Sequence, residues 1–248
     1  MKRNSSFESS ASGIITQQQF DAYADQWMSL ISGPESGTLQ QLFRSGKTKE
    51  VLTYAGFTIW QIVSLVSTVG AAHIKARYLM NNDDPAKPRF VLALFATDSM
   101  DTRLSPYYIA EDYQRIAVAK PTVTVTSSES SLGHVAHILA QEWASNWSAL
   151  PVSDVTPALF TNTYGPMRGY NFRPNDFAQL FMGITSFGNK VVRADFGLHE
   201  YANAKAESVA TFGLILRTYK QVEGFGLAEA SNALFYDMAS PCPPICGY

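Results

Sequence analysis

The stretch Ser186–His199, SFGNKVVRADFGLH, is a second version of Thr68–Asn81, TVGAAHIKARYLMN. Gly188 falls on Gly70, Arg193 on Lys75, Ala194 on Ala76, Phe196 on Tyr78 and Leu198 on Met80, a shift of 118 residues. Both stretches alternate as half-buried strands do. Ile74, Ala76, Tyr78 and Met80 point one way against Lys75 and Arg77; Val192, Ala194, Phe196 and Leu198 point one way against Arg193 and Asp195.

The same shift sets Phe177, Leu180, Phe181 and Ile184 over Ile59, Ile62, Val63 and Val66, with Gln179 over Gln61. Their i, i+3, i+4, i+7 spacing is one apolar face of a helix. Upstream, Leu159-Phe160 matches Leu42-Phe43 at a shift of 117, and AQEW (Ala140–Trp143) matches ADQW (Ala24–Trp27) at 116. Downstream, FGLILRT (Phe212–Thr218) matches FVLALFA (Phe90–Ala96) at 122. A shift that drifts slightly between elements is what small loop insertions leave behind. The chain therefore reads as a tandem duplication, each unit running helix, short helix, helix, strand, strand. The expected divisions are a disordered leader at 1–15, unit one at 16–120, a linker at 121–130, unit two at 131–240 and a tail at 241–248.

Thr16 and Ser131 are good N-caps for the first helix of each unit. Those helices are expected to bury Phe20, Trp27 and Ile31, or Leu139, Trp143 and Trp147, with Trp27 and Trp143 as counterparts. NNDDPAKP (Asn81–Pro88) and YANAKAES (Tyr201–Ser208) read as the hairpin turns. PTVTVTSSESS (Pro121–Ser131) joins the units, its start readable as an extra strand. A lone hairpin is marginal in water. Two hairpins packed or paired about a pseudo-twofold axis, with helices on the apolar face, make an α+β fold.

Composition narrows the class of partner. With 46% apolar and 16% charged residues and a net charge of −2, the 248-residue chain is ordinary for a soluble globular protein. It offers no basic field for nucleic acid. MKRNSSFESSASG (Met1–Gly13) lacks the apolar core of a signal peptide. Phe57–Ile74, interrupted by Gln61, Ser64, Ser67, Thr68 and His73, is too polar to span a membrane. Two cysteines argue against a disulfide-built scaffold. A cytoplasmic location is expected.

A helix, a Val69-Gly70 step, a strand from Ile74 to Asn81, the Asn82-Asp83-Asp84 turn, a second strand from Phe90 to Ala96 and a terminal Cys242-Pro243-Pro244-Ile245-Cys246 together resemble a group of small uncharacterised bacterial proteins. Those proteins look like one unit where this chain looks like two. The resemblance implies no activity, and unit one lacks the cysteine ending.

Motifs with chemical content are scarce. There is no Gly-rich phosphate loop, nucleophile elbow or zinc-protease helix. His134 and His137 share a helix face as two metal ligands would, but unit one has no counterpart. Ser130, His134 and Asp154 can be drawn as a triad only because a chain this long offers many such combinations. Asn81, Asn82, Asp83 and Asp84 lack the spacing of a calcium loop and read as a turn. No cofactor or metal is expected.

Cys242 and Cys246 flank two prolines, which favour an extended backbone and hold the α-carbons about 12 Å apart at about 3.1 Å per residue, beyond disulfide reach. They read either as a reduced, exposed tail or as thiols with a redox, partner-linking or metal role. The loop NTYGPMRGYNFRP (Asn162–Pro174) combines Tyr164, Met167, Arg168, Tyr170 and Arg173, residue types that anchor protein interfaces. What the two units share is packing residues rather than paired acids, histidines or cysteines. The expected function is a non-enzymatic binding or scaffold protein with a protein partner, the alternative an enzyme with its site in the cleft between the units.

Overall fold

The computed structural model describes residues 13–34, 37–44, 50–110, 137–179, 181, 190–202, 207–222, 226–229 and 240–242. The first half forms β1 (Ile14–Ile15), α1 (Gln17–Ser32), α2 (Gly37–Leu42), β2 (Tyr54–Thr58), α3 (Ile59–Val66), β3 (His73–Asn81), β4 (Arg89–Thr97) and β5 (Tyr107–Ile109). The second half forms α4 (His137–Ala149), two 3-10 turns at 152–154 and 157–160, then β6 (Thr161–Asn162), β7 (Gly165–Pro166), β8 (Gly169–Phe172) and α5 (Pro174–Gln179). It ends in β9 (Lys190–Ala202), β10 (Ser208–Val222), β11 (Gly226–Glu229) and β12 (Ser240–Cys242). The fold is α+β with antiparallel sheets. No helix among the described residues is long and apolar enough to cross a membrane. Residues 1–12 of the leader, the Ser131 cap, the stretch Pro121–Ser131 and Cys246 lie outside the described residues, and the end of the expected leader is not disordered but forms β1, paired with β5.

The larger sheet runs β1-β5-β4-β3-β8-β12 and the smaller β11-β10-β9-β2. Each hairpin is therefore extended by a strand from the other half. β2 pairs with β9, setting Phe57 opposite Val192, and β8 pairs with β3, setting Phe172 opposite Ile74. The registers of the two hairpins agree with the sequence shifts: Ile74 faces Ala96 in one, and Val192 faces Thr218 in the other. Sequence periodicity leaves β2 and β8 undetected. YAGFT and GYNF are short and glycine-bearing, and their partners lie more than ninety positions away in the chain.

The apolar faces of the two sheets meet in one core. Tyr78, Phe90 and Phe172 share it with Phe196, Phe212 and Trp147. Tyr78 packs edge-on against Phe212 at 5.4 Å, and Phe90 against Phe196 at 5.7 Å. Phe43 and Phe160, matched at the shift of 117, stack on each other at 5.2 Å in its middle. The polar faces are covered as well. Phe20, Tyr23 and Ala24 of α1 pack with Leu79, Val91 and Phe95, and Ala140, Trp143 and Ala144 of α4 pack with Ile215. Helices thus lie on both faces, not only on the apolar one, and this buries the charged residues of the strands.

Helix starts follow local chemistry. Thr16 and Gln19 form a capping box at α1, as Thr58 and Gln61 do at α3. At α5 the Asp176 carboxylate accepts from the Arg173 amide at 2.8 Å, in the role of Gln61. By its cap, then, α5 matches α3 at Asp176 over Gln61, so the apolar-spacing alignment lies about a turn off.

In the first helices the offset moves in the opposite direction. Trp27 donates its indole N–H to Met167 O at 2.9 Å, and Trp147 donates to Leu52 O at 2.7 Å. Each acceptor lies two residues before the exchanged strand. Trp147, and not Trp143, thus makes the bond that resembles that of Trp27; the two positions lie four residues apart on one helix face. Trp143 is half-buried and Leu139 exposed.

Gly169 starts β8 at φ 138, where an added Cβ would lie 2.1 Å from Ala76 O. Gly169→Ala is expected to cost about 2–3 kcal/mol, from strain and from displacing β8 off β3. A urea melt with an unchanged midpoint would show that the strand accommodates the methyl group.

Candidate functional site

Alternation along β3 puts Lys75 and Arg77 on the sheet face that α1 covers, and both are buried there. Arg77 donates from Nη1 to Ala76 O and Tyr170 O, and from Nη2 to Asn171 Oδ1, each at 2.9 Å. These acceptors are neutral. They clamp β8 onto β3, while the charge of Asp101 favours the charged guanidinium.

Lys75 has an acid. The turn after β4 is closed by Asp98, whose carboxylate accepts from Met100 N at 2.9 Å and Thr102 N at 2.8 Å. Asp101 in that turn adopts φ 67, a left-handed conformation that aspartate tolerates better than most residues. The turn carries its carboxylate to 2.5 Å from Lys75 Nζ.

Beside this pair lies a cavity of about 490 Å3, bounded by α1, β3 and the turn, with Arg168 reaching its rim from the second half. Its volume lies in the range of small-molecule sites. One wall is aromatic: Phe20 stacks on Tyr107 at 4.0 Å, and Phe95 meets Tyr107 edge-on at 4.8 Å. Arg103 lies over the Tyr107 ring at 4.5 Å and donates to Ser105 O. The Tyr107 hydroxyl donates to Gln17 Oε1 at 2.9 Å. Asp21 and Asp25 stand on the α1 side, Asp21 accepting from Gln17 Nε2 at 2.8 Å.

Burial pushes the Arg77 guanidinium down to about 10. Burial also pulls the Lys75 ammonium below its ordinary value, helped by the charge of Arg77 and opposed by Asp101. The inner end of the cavity, with Lys75 and Arg77 against Asp101, carries one excess positive charge.

The matching positions of the second half are closed. The Arg193 guanidinium is sandwiched between Tyr54 at 3.4 Å and Tyr219 at 4.3 Å. Asp195 takes Arg193 at 3.1 Å, Arg217 at 3.4 Å and the Tyr219 hydroxyl at 2.7 Å. Here the carboxylate stands on the strand itself, and a tyrosine occupies the place that Thr97 has opposite β3 in the first half.

The loop singled out in the sequence divides. Met167 and Tyr170 are buried, Tyr170 donating its hydroxyl to Phe212 O at 2.8 Å. Tyr164 is exposed at the β6–β7 turn, Arg168 is exposed on the cavity rim, and Arg173 is mostly exposed beside Asp176. Cys242 lies in β12 opposite Gly169. His134 and the side chains of His137 and Cys242 are outside the described residues. Asn81 and Asp84 cap the β3–β4 turn by accepting from Asp83 N and Ala86 N, and Asp83 accepts from the Tyr23 hydroxyl. Among the described residues, no three His, Cys, Asp or Glu side chains gather as a metal site needs.

Alternation places Lys75 and Arg193 on the outward, polar faces of their strands, and both are buried there. Charge recurring on one face of an otherwise apolar strand was the available signal. Comparison with family models, with curated proteins and with solved structures finds no match.

Proposed function

We propose that the protein is a binding protein for a small organic anion, taken up in the cavity between α1 and the outer face of β3. The observation that carries this is the convergence of Lys75, Arg77, Arg103 and Arg168 on one aromatic-walled cavity of about 490 Å3. Arg103 donates to a neutral acceptor, and Lys75 with Arg77 outweighs Asp101, so positive charge is available to a carboxylate or phosphate. The aromatic wall favours a ligand with an apolar body.

The chain is proposed to be a tandem duplication about a pseudo-twofold axis, akin to the single-unit bacterial proteins ending in the same cysteine motif. The shared hairpin registers, the reciprocal strands and the paired tryptophan bonds support it. On that reading one unit kept an open site while the other closed its own with Arg193, Tyr54 and Tyr219. Tyr164, Arg168 and Arg173, with Cys242 and Cys246, remain proposed contacts for a protein partner. An enzyme at the junction of the units is the second reading, favoured by a buried Lys75 amine beside a rim residue from the other half.

Benzoate and inorganic phosphate are suitable probes by calorimetry and by amide shift mapping. Benzoate is expected to bind with a salt-dependent affinity and to shift amides of α1, β3 and the 98–103 turn. Arg103→Ala/Arg168→Ala should weaken it by about 10–100-fold, the effect of losing charge-assisted hydrogen bonds. No binding of either probe, or binding unchanged in the double variant, would refute the reading.

A further inference from the structure

We propose that Lys75 is a carbonyl-condensing amine that captures a 2-oxo acid as an imine, with the ligand carboxylate held by the rim arginines. This rests on the anion-binding reading and adds a covalent step to it. A lysine whose only task was to neutralise a buried acid would sit in a closed pair, as Arg193 does with Asp195. Lys75 instead lines an open cavity, is itself buried, and has one carboxylate at 2.5 Å. Arg77, two residues along the same strand face, adds a second positive charge that disfavours the ammonium. A desolvated amine beside a cation is the usual arrangement of a nucleophilic lysine. The remaining titratable groups around it are Asp21 and Asp25 on α1, Tyr78 on β3, Arg103 and Tyr107 following β4, and Arg168.

The step balances within these residues. Asp101 takes a proton from the Lys75 ammonium, and the neutral nitrogen attacks the ligand carbonyl, forming a C–N bond and a carbinolamine. Asp101 returns the proton to the carbinolamine oxygen, the C–O bond breaks, water leaves and the C=N bond remains. No oxidant or reductant takes part.

Benzoylformate and its carbonyl-free analogue mandelate separate the two levels of the reading. Intact protein incubated with benzoylformate and sodium cyanoborohydride should gain the mass of benzoylformate less one oxygen, with peptide mapping placing it on Lys75. Lys75→Arg keeps the charge beside Asp101 and should lose the adduct; its thermal melt checks that it is folded. If mandelate and benzoylformate both bind and Lys75 carries no adduct, the imine proposal is wrong and anion binding stands. If Lys75 is trapped but mandelate does not bind, the amine chemistry stands and anion binding falls. If neither ligand binds and no adduct forms, both fall.

Discussion

Trp27→Ala is expected to lower the unfolding free energy by about 3–5 kcal/mol, the range for deleting a fully buried aromatic ring. Trp27 is completely enclosed, with Tyr78 at 5.5 Å, Phe90 at 5.7 Å and Phe160 at 5.2 Å around it. Truncation also orphans Met167 O, the acceptor of its indole N–H. That bond ties α1 to the chain entering β8, so the loss should reach the exchanged strand as well as the core. Trp147→Ala should cost as much for the same reason, its bond running to Leu52 O ahead of β2. Trp143→Ala, on the half-buried side of α4, should cost clearly less. Urea denaturation of the three variants orders them, and a Trp143 effect equal to the other two would restore the sequence alignment of Trp27 with Trp143.

Asp195→Asn is expected to destabilise by a comparable amount, about 3–5 kcal/mol, the cost of breaking a buried ion network from one side. The substitution keeps the side-chain shape and removes the charge. Arg193 and Arg217 are both buried and are bridged by this carboxylate, which also accepts from the Tyr219 hydroxyl. Arg193 Nε and Nη1 have no hydrogen-bond acceptor; two tyrosine rings stand in their place. Without Asp195 the two guanidiniums repel one another where water screens little. Replacing the cluster by apolar residues, Arg193→Met/Asp195→Leu/Arg217→Met, should recover much of the loss, since paired buried charges contribute little net stability. A cost under about 1 kcal/mol for Asp195→Asn would mean that solvent reaches the cluster.

Two residues explain why the matching positions among the described residues of the second half are filled. Lys75 leaves room because its acid arrives from a turn, while Arg193 fills its site because its acid stands two residues along the same strand and Tyr219 closes over it. The sequence showed Lys75 over Arg193 as a recurring charge. The difference between an open and a filled site lies in side-chain volume and in the path of the 98–103 turn, which strand periodicity does not encode.

The sequence by itself determined the elements with strong local signals. Strict alternation identified β3 and β9, NNDDPAKP marked the turn between β3 and β4, and Thr16 marked the start of α1. These depend on neighbours a few residues away or across one short turn. Only the tertiary structure decided the rest. The reciprocal strands β2 and β8 gain their hydrogen bonds from the other half, so their own residues say little about them. The sequence set Trp143 against Trp27, but positions four apart share a helix face, and it is Trp147 that is fully buried and bonds to the chain before the exchanged strand. The polar faces of β3 and β9 are buried because α1 and α4 cover them. It is this cover, brought by packing at long range, that turns Lys75 from a surface charge into the desolvated floor of a cavity.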